Sequence, residues 1–294
     1  MKPMVLNSFL VATLAFGGNG TDLVVTASWL AAHLKDPDLV ILQVGERPGY
    51  DQAHIAGARF VDLGDIDGTR GSQGDHLRLE MPEPADLRAR LEKLGVSDGS
   101  RIVVVQSQEY FSPSTRLILT LQVAGLGDRT VWLDGGLTAW KQAGFPVTAE
   151  ASGTIPAGRI TKTGEADLIV DYAFVQALGK SGSHTRLIDA RAPEFFEGPG
   201  HQSMKAGHIR GAANLPFNTL VGDDERLLPK AELEQRFKAA GVQPGDTVVA
   251  YCHVGQQATL VLFAARVLGH PIRLYDGSMD DWGKRNLPTE GGKP

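Results

Sequence analysis

The chain has 294 residues, 42% of them apolar and 21% charged, with 29 basic against 34 acidic side chains for a formal charge of −5. That composition excludes a disordered, collagenous or coiled-coil chain, and with no dense Lys/Arg block it removes the electrostatic term on which nucleic-acid binding depends. A single cysteine, Cys252, excludes an internal disulfide and any zinc site built on several thiolates, leaving packing or chemistry as its use.

At the N-terminus, Lys2 precedes a mostly apolar stretch from Val5 to Phe16, which Gly17-Gly18-Asn19-Gly20-Thr21 breaks. This is the order of a secretory signal, so residues 1–21 are expected to be a leader, with a disordered N-terminus as the alternative, and the mature chain periplasmic or secreted, with the cytoplasm as the alternative. No apolar run reaches the roughly 18 to 20 residues of a spanning helix, and no stable membrane insertion of the mature chain is expected.

The elements that follow occur twice. In the first half Val40-Ile41-Leu42-Gln43-Val44, Ala53-His54-Ile55-Ala56-Gly57-Ala58, Arg101-Ile102-Val103-Val104-Val105 and Leu133-Asp134-Gly135-Gly136-Leu137-Thr138-Ala139-Trp140 come in that order. Their counterparts in the second are Arg186-Leu187-Ile188-Asp189-Ala190, Gly207-His208-Ile209-Arg210-Gly211-Ala212, Thr247-Val248-Val249-Ala250-Tyr251 and Tyr275-Asp276-Gly277-Ser278-Met279-Asp280-Asp281-Trp282. The offsets drift only between 142 (282 − 140) and 154 (208 − 54), as loop insertions between shared elements would make them. Helical stretches, Pro84 to Leu94 and Lys230 to Ala240, precede the third strand of each half. Continuous β-branched runs separated by helices predict α/β domains, each a mainly parallel sheet covered on both faces. Gly144 to Gly164, rich in Pro and Gly, has the composition of a linker. The expected division is one domain at 22–148, a linker at 149–164 and a second domain at 165–290.

Cys252 follows the strand Thr247–Tyr251 and precedes the apolar helical stretch Ala258 to Leu268, with His253, Val254, Gly255, Gln256 and Gln257 completing the turn. The carboxyl end of a parallel strand, at the opening of a helix, is where open α/β sheets build their sites. Backbone N–H groups and the helix dipole there favour a thiolate, and Gly255 permits the tight curl. In the first half Ser107 or Gln108 stands at the cysteine position, so one half keeps a nucleophile that the other lacks.

At these residues the chain resembles the tandem-domain rhodanese family of sulfurtransferases, which includes thiosulfate and mercaptopyruvate sulfurtransferases. Leu187-Ile188-Asp189-Ala190-Arg191 with the Gly207–Ala212 turn resembles that family's first signature, and Tyr275-Asp276-Gly277-Ser278 with Trp282 its C-terminal one; the first half repeats both. The resemblance covers nearly everything from Val24 to Leu287. It implies two tandem rhodanese-like domains, an inactive first one and a persulfide formed on Cys252. The loop His253 to Gln257 would cradle that persulfide, with Asp189 and Arg191 in support. The implied partners are a small-molecule sulfur donor, such as thiosulfate or mercaptopyruvate, and a cyanide or thiol acceptor. No metal or organic cofactor is implied.

Three positions depart from the family. Its thiosulfate-using members commonly carry Arg after the loop cysteine and Arg or Thr at the sixth loop position, where this chain has His253 and Gln257. A substrate-binding Arg before an aromatic is replaced by Glu194-Phe195-Phe196, and the insert from Ala192 to Gly207 offers only Lys205 as a fixed cation. Thiosulfate is therefore expected to be a poor donor that improves as pH falls through the ordinary imidazole pKa near 6.5.

The remaining candidates read as structural. His54 and His208 brace Gly-rich turns, Asp189 with Arg191 forms an ion pair, and Trp140 and Trp282 are core. Asp62, Asp65 and Asp67 fail the spacing of a calcium loop. A cysteine phosphatase would need an Arg about six residues after the cysteine to clamp phosphate, and position 258 is Ala. The alternative to an active sulfurtransferase is a non-turnover sulfur-carrier or binding module that keeps the fold.

Overall fold

The computed structural model of the chain describes residues 23–68, 76–107, 111–178, 184–198 and 207–291, so the expected leader at 1–21, Gln108 and Lys205 lie outside the described residues. In the first half the order is β1 (Val24–Val25), α1 (Ala27–His33), β2 (Leu39–Val44), α2 (Arg47–Gln52), β3 (Arg59–Val61), α3 (Pro84–Lys93), β4 (Arg101–Gln106), α4 (Ser112–Val123), β5 (Thr130–Leu133) and α5 (Gly136–Gln142). The second half repeats it with β6 (Ile169–Val170), α6 (Tyr172–Leu178), β7 (Thr185–Asp189), α7 (Pro193–Phe196), β8 (Ala213–Asn214), α8 (Lys230–Ala239), β9 (Thr247–Tyr251), α9 (Ala258–Val267), β10 (Ile272–Tyr275) and α10 (Ser278–Lys284).

Each half builds a five-stranded parallel sheet, ordered β1-β5-β4-β2-β3 and β6-β10-β9-β7-β8. The central strands β2, β4 and β9 are buried on both faces at nearly every residue, and β7 over Leu187 to Asp189, which is why they read as largely unbroken apolar runs rather than alternating ones. Helices α3 and α8 bury only Leu87 with Leu91 and Leu233 with Phe237, the i, i+4 stripe of a helix whose other side meets water. By contrast α4 and α9 are buried almost all round, because they pack on their own sheets and on each other.

That α4–α9 contact makes the two halves one packed unit. Leu119 of α4 lies in the apolar cluster of the second half with Ile188, Val248 and Leu262, while Phe263 of α9 lies in that of the first with Leu42, Val104 and Trp132. These two are equivalent positions of the repeat (263 − 119 = 144), so the halves exchange side chains about an approximate two-fold axis. Phe263 meets Trp132 edge-on, with ring centroids 5.3 Å apart. On the axis, Thr115 and Thr259 (259 − 115 = 144) share a hydrogen bond of 2.8 Å between their hydroxyls.

Residues 149–165 carry no helix or strand. They are bound along the first half: the Ser152 hydroxyl donates to the Ala58 carbonyl, the Gly158 N–H to Glu92 O, and the Ile160 N–H to the Glu92 carboxylate. Glycine at 158 is required by closeness, since a Cβ there would stand 1.9 Å from the Val96 carbonyl oxygen. Among the described residues no helix is long and apolar enough to cross a membrane.

Candidate active site

Strand β9 delivers Cys252 to the carboxyl edge of the second sheet, where the chain curls into α9. The residue is 1% exposed and belongs to the apolar cluster beneath the loop. Its backbone is tied to the start of α10: the Cys252 N–H donates to Ser278 Oγ at 3.1 Å, and the Cys252 and His253 carbonyls accept from Met279 N at 3.1 Å and Asp280 N at 3.0 Å. Ser278 holds this position with φ of 50°, in the left-handed region, and its hydroxyl donates on to Tyr275 O at 2.9 Å. Among the described residues, the N–H groups of His253, Val254, Gly255, Gln256 and Gln257 meet no protein acceptor, so the loop presents a row of unengaged donors at the head of a helix.

Gly255 makes the curl possible. Its φ is +73°, and a Cβ would stand 2.6 Å from the Asp276 carbonyl oxygen, 2.8 Å from Asp276 Oδ1 and 3.1 Å from Arg116 Nη1. Gln257, at the sixth loop position, buries an Oε1 that meets no partner among the described residues.

Asp189 and Arg191, both fully buried, lie at the end of the neighbouring strand β7 as a tight ion pair with Nη2 to Oδ2 at 2.6 Å. Arg191 also donates to the Gly207 carbonyl at 2.7 Å, and Asn214 holds both backbone carbonyls of the pair. Burial works against the Arg191 charge, but hydrogen bonds to Asp189 and its field outweigh it and hold the guanidinium more firmly protonated than usual. This cation is thus engaged in bracing the loop floor.

His253 stands edge-on to Phe195, centroids 4.7 Å apart at 87°. Burial, aided by the nearby Arg191 and Arg78 charges and opposed by Asp189, lowers its pKa from 6.5 to about 4. The expected improvement with acid near pH 6.5 is therefore corrected: the imidazole stays neutral down to about pH 4. The sequence treats His253 as an unperturbed imidazole, whereas the fold half-buries it.

Ser107 follows directly on β4 as Cys252 follows directly on β9. The sheet register differs from the sequence expectation of Ser107 or Gln108: β2 Gln43 pairs with Phe60 and Val105 as β7 Asp189 pairs with Asn214 and Tyr251, so Gln106 stands at the place of the cysteine and Ser107 one residue beyond it. The Ser107 hydroxyl is buried without a partner among the described residues. The histidines and tryptophans hold symmetric places: His54 stacks on Tyr50 and His208 on Phe196, and Trp140 and Trp282 donate to Pro146 O and Pro288 O.

Residues not singled out in the sequence complete the loop's surroundings, and most come from the first half. Arg116 reaches Gly255 and Asp276, Ser112 Oγ accepts from Gln256 Nε2 at 3.0 Å, and the Met81 N–H donates to Asp276 Oδ2 at 2.7 Å. Arg78 crosses to Asp280 at 3.6 Å. The one visible signal was Arg116 itself, an isolated cation in the otherwise uncharged helix Ser112–Val123.

Comparison with known proteins fits this geometry. A rhodanese-like domain model matches residues 26–143 and again 173–285. A Pseudomonas aeruginosa protein named "Probable 3-mercaptopyruvate sulfurtransferase" is 37% identical over 270 residues, covering 88% of this chain and 94% of its own. The thiosulfate sulfurtransferase of Azotobacter vinelandii is 30% identical, with 91% and 97% covered. Among solved structures, that of SseA from Escherichia coli, described as a 3-mercaptopyruvate sulfotransferase, superposes with a TM-score of 0.76 at 27% identity, covering 88% of this chain and 99% of its own.

Proposed function

The chain belongs to the rhodanese-like family, as a tandem-domain sulfurtransferase, and from that premise we propose that it moves sulfur through a persulfide on Cys252. The Cys252 thiolate attacks the outer sulfur of a donor, forming an S–S bond as the donor's own bond to that sulfur breaks. The electron pair leaves with the remainder, as sulfite from thiosulfate or as the enolate of pyruvate from 3-mercaptopyruvate. A thiolate or cyanide then attacks the outer sulfur of the enzyme persulfide and returns Cys252 as thiolate, a ping-pong cycle. The unengaged N–H groups from His253 to Gln257 hold the negative sulfur in both states, as an oxyanion hole holds oxygen.

The observation that carries this reading is the buried cysteine at the head of α9 inside a curl whose N–H groups meet no acceptor among the described residues. Donor choice follows from charge. His253 is neutral, Arg191 is engaged by Asp189, and Phe195 occupies the wall beside the imidazole. A dianion such as thiosulfate is poorly matched to that cradle, and the keto acid 3-mercaptopyruvate is the better donor. The leader-like order of residues 1–21 supports export of the mature chain.

The test is a stopped loading experiment. Protein is mixed with either donor, freed of excess and weighed intact, then given cyanide or a thiol. The reading expects a gain of one sulfur atom on Cys252, faster with 3-mercaptopyruvate, and its loss to the acceptor. No gain with either donor would refute it, and a gain that no acceptor removes would favour a carrier.

A further inference from the structure

Arg116 belongs to the first half, yet its fully buried guanidinium ends in the second. Nη1 donates to the Gly255 carbonyl at 3.0 Å and to Asp276 Oδ1 at 2.5 Å, and Nη2 to the Leu79 carbonyl at 2.7 Å. The repeat supplies its own control. The equivalent of Arg116 is Leu260 (260 − 116 = 144), which packs in the apolar cluster of the first half, and the first-half stretch between β4 and α4, Ser107 to Phe111, contains no glycine. Among the described residues of these two loops, a cation from across the interface reaches the backbone only of the one that holds the cysteine, and that loop has the glycine that lets the cation close on it. A buried ion pair is costly to desolvate, and Leu260 shows that packing at the equivalent place is met by a hydrocarbon.

The peptide joining Gly255 to Gln256 is planar and trans, so its C=O and N–H point in opposite directions. Holding the carbonyl on Arg116 turns the Gln256 N–H away from Arg116. We propose that Arg116 is a positioning residue for sulfur transfer: by anchoring the Gly255 carbonyl outside the curl it fixes the Gln256 N–H inside, as a donor to the sulfur on Cys252. The Gln256 side chain is held from the same half by Ser112 Oγ, so the first half grips both residues of this peptide. Arg116 acts through the peptide and does not touch the sulfur. The inference rests on the reading of Cys252 as the sulfur-carrying residue.

The test follows the Gln256 amide resonance of the full-length 15N-labelled protein before and after Cys252 is loaded with one sulfur, loading being confirmed by mass. In wild type the resonance should shift on loading. In Arg116→Met the shift should be lost and kcat should fall about tenfold to a hundredfold while KM for the donor stays within about twofold, the pattern of a lost transition-state donor. Arg116→Lys, which keeps a cation there, should recover part of both. If Arg116→Met does not fold, the double variant Arg116→Met/Asp276→Asn, which leaves no buried charge unpaired, is read in the same way. A wild-type Gln256 amide that stays unmoved in the sulfur-loaded protein, or a folded variant with wild-type kcat, would overturn the proposal. A wild type that takes up no sulfur on Cys252 would overturn the reading beneath it, and the two failures are told apart by the mass.

Discussion

At position 253 an imidazole sits under Phe195 where a guanidinium would carry a permanent charge, and its partial burial keeps it neutral. Replacing it by Arg supplies one charge-assisted hydrogen bond to a dianion, worth roughly 1.5 to 3 kcal/mol or about one to two decades in rate. His253→Arg should therefore raise kcat/KM for thiosulfate at pH 8 by about tenfold or more, with little gain for an uncharged donor. An unchanged thiosulfate value would show that the missing cation comes from elsewhere. The same residue affects stability. Its folded pKa of about 4 lies below the ordinary value of 6.5, so between these the unfolded chain binds more protons than the folded one. Stability falls as pH drops from 6.5 to about 4 and this contribution flattens below. In His253→Gln the urea midpoint should decline less steeply across that window than in wild type, and parallel profiles would contradict the assignment.

The element that decides the chemistry is the curl between β9 and α9, whose geometry hangs on one glycine. Gly255→Ala places a Cβ against the Asp276 backbone in a left-handed conformation, so the curl must open. Turnover should fall by about two decades or more, as when oxyanion-hole donors are displaced, and stability by about 1–3 kcal/mol. A crystal structure of the variant with the curl intact, or near-normal kcat, would argue against it. Much of this element was legible beforehand. Doubly buried parallel strands betray themselves as continuous β-branched runs, and a cysteine at the end of one, before an apolar helix with a glycine between, marks the loop. What surrounds the loop was not legible. Arg116 meets Gly255 and Asp276 from 139 and 160 residues away, and Leu79 to Met81 approach from a segment with no periodicity. Such contacts depend on how two domains dock, which local pattern does not encode. The low pKa of His253 was hidden for the same reason, since burial sets it.

For the whole molecule, the repeat has become a division of labour. The halves exchange Leu119 and Phe263, and each offers its neighbour a backbone N–H at an equivalent place in the repeat: Met81 to Asp276, and Leu227 to Asp134 at 3.0 Å. At their axis the Thr115 and Thr259 hydroxyls are buried and share one bond. Thr115→Val and Thr259→Val should each cost about 1–2 kcal/mol, with the double variant costing less than their sum by about 0.5 kcal/mol or more. Strict additivity in urea titrations would mean that the pair does not couple the halves. The resemblance implies an inactive first domain; in the structure that half carries no cysteine and places Arg116 and Ser112 against the loop of Cys252. The most direct test of the division is steady-state sulfur transfer from 3-mercaptopyruvate by Cys252→Ser beside Ser107→Ala, both with wild-type circular dichroism. The account predicts no detectable turnover in Cys252→Ser and, in Ser107→Ala, turnover within about twofold of wild type, as for a substitution outside the reacting groups. Substantial turnover by well-folded Cys252→Ser would contradict it.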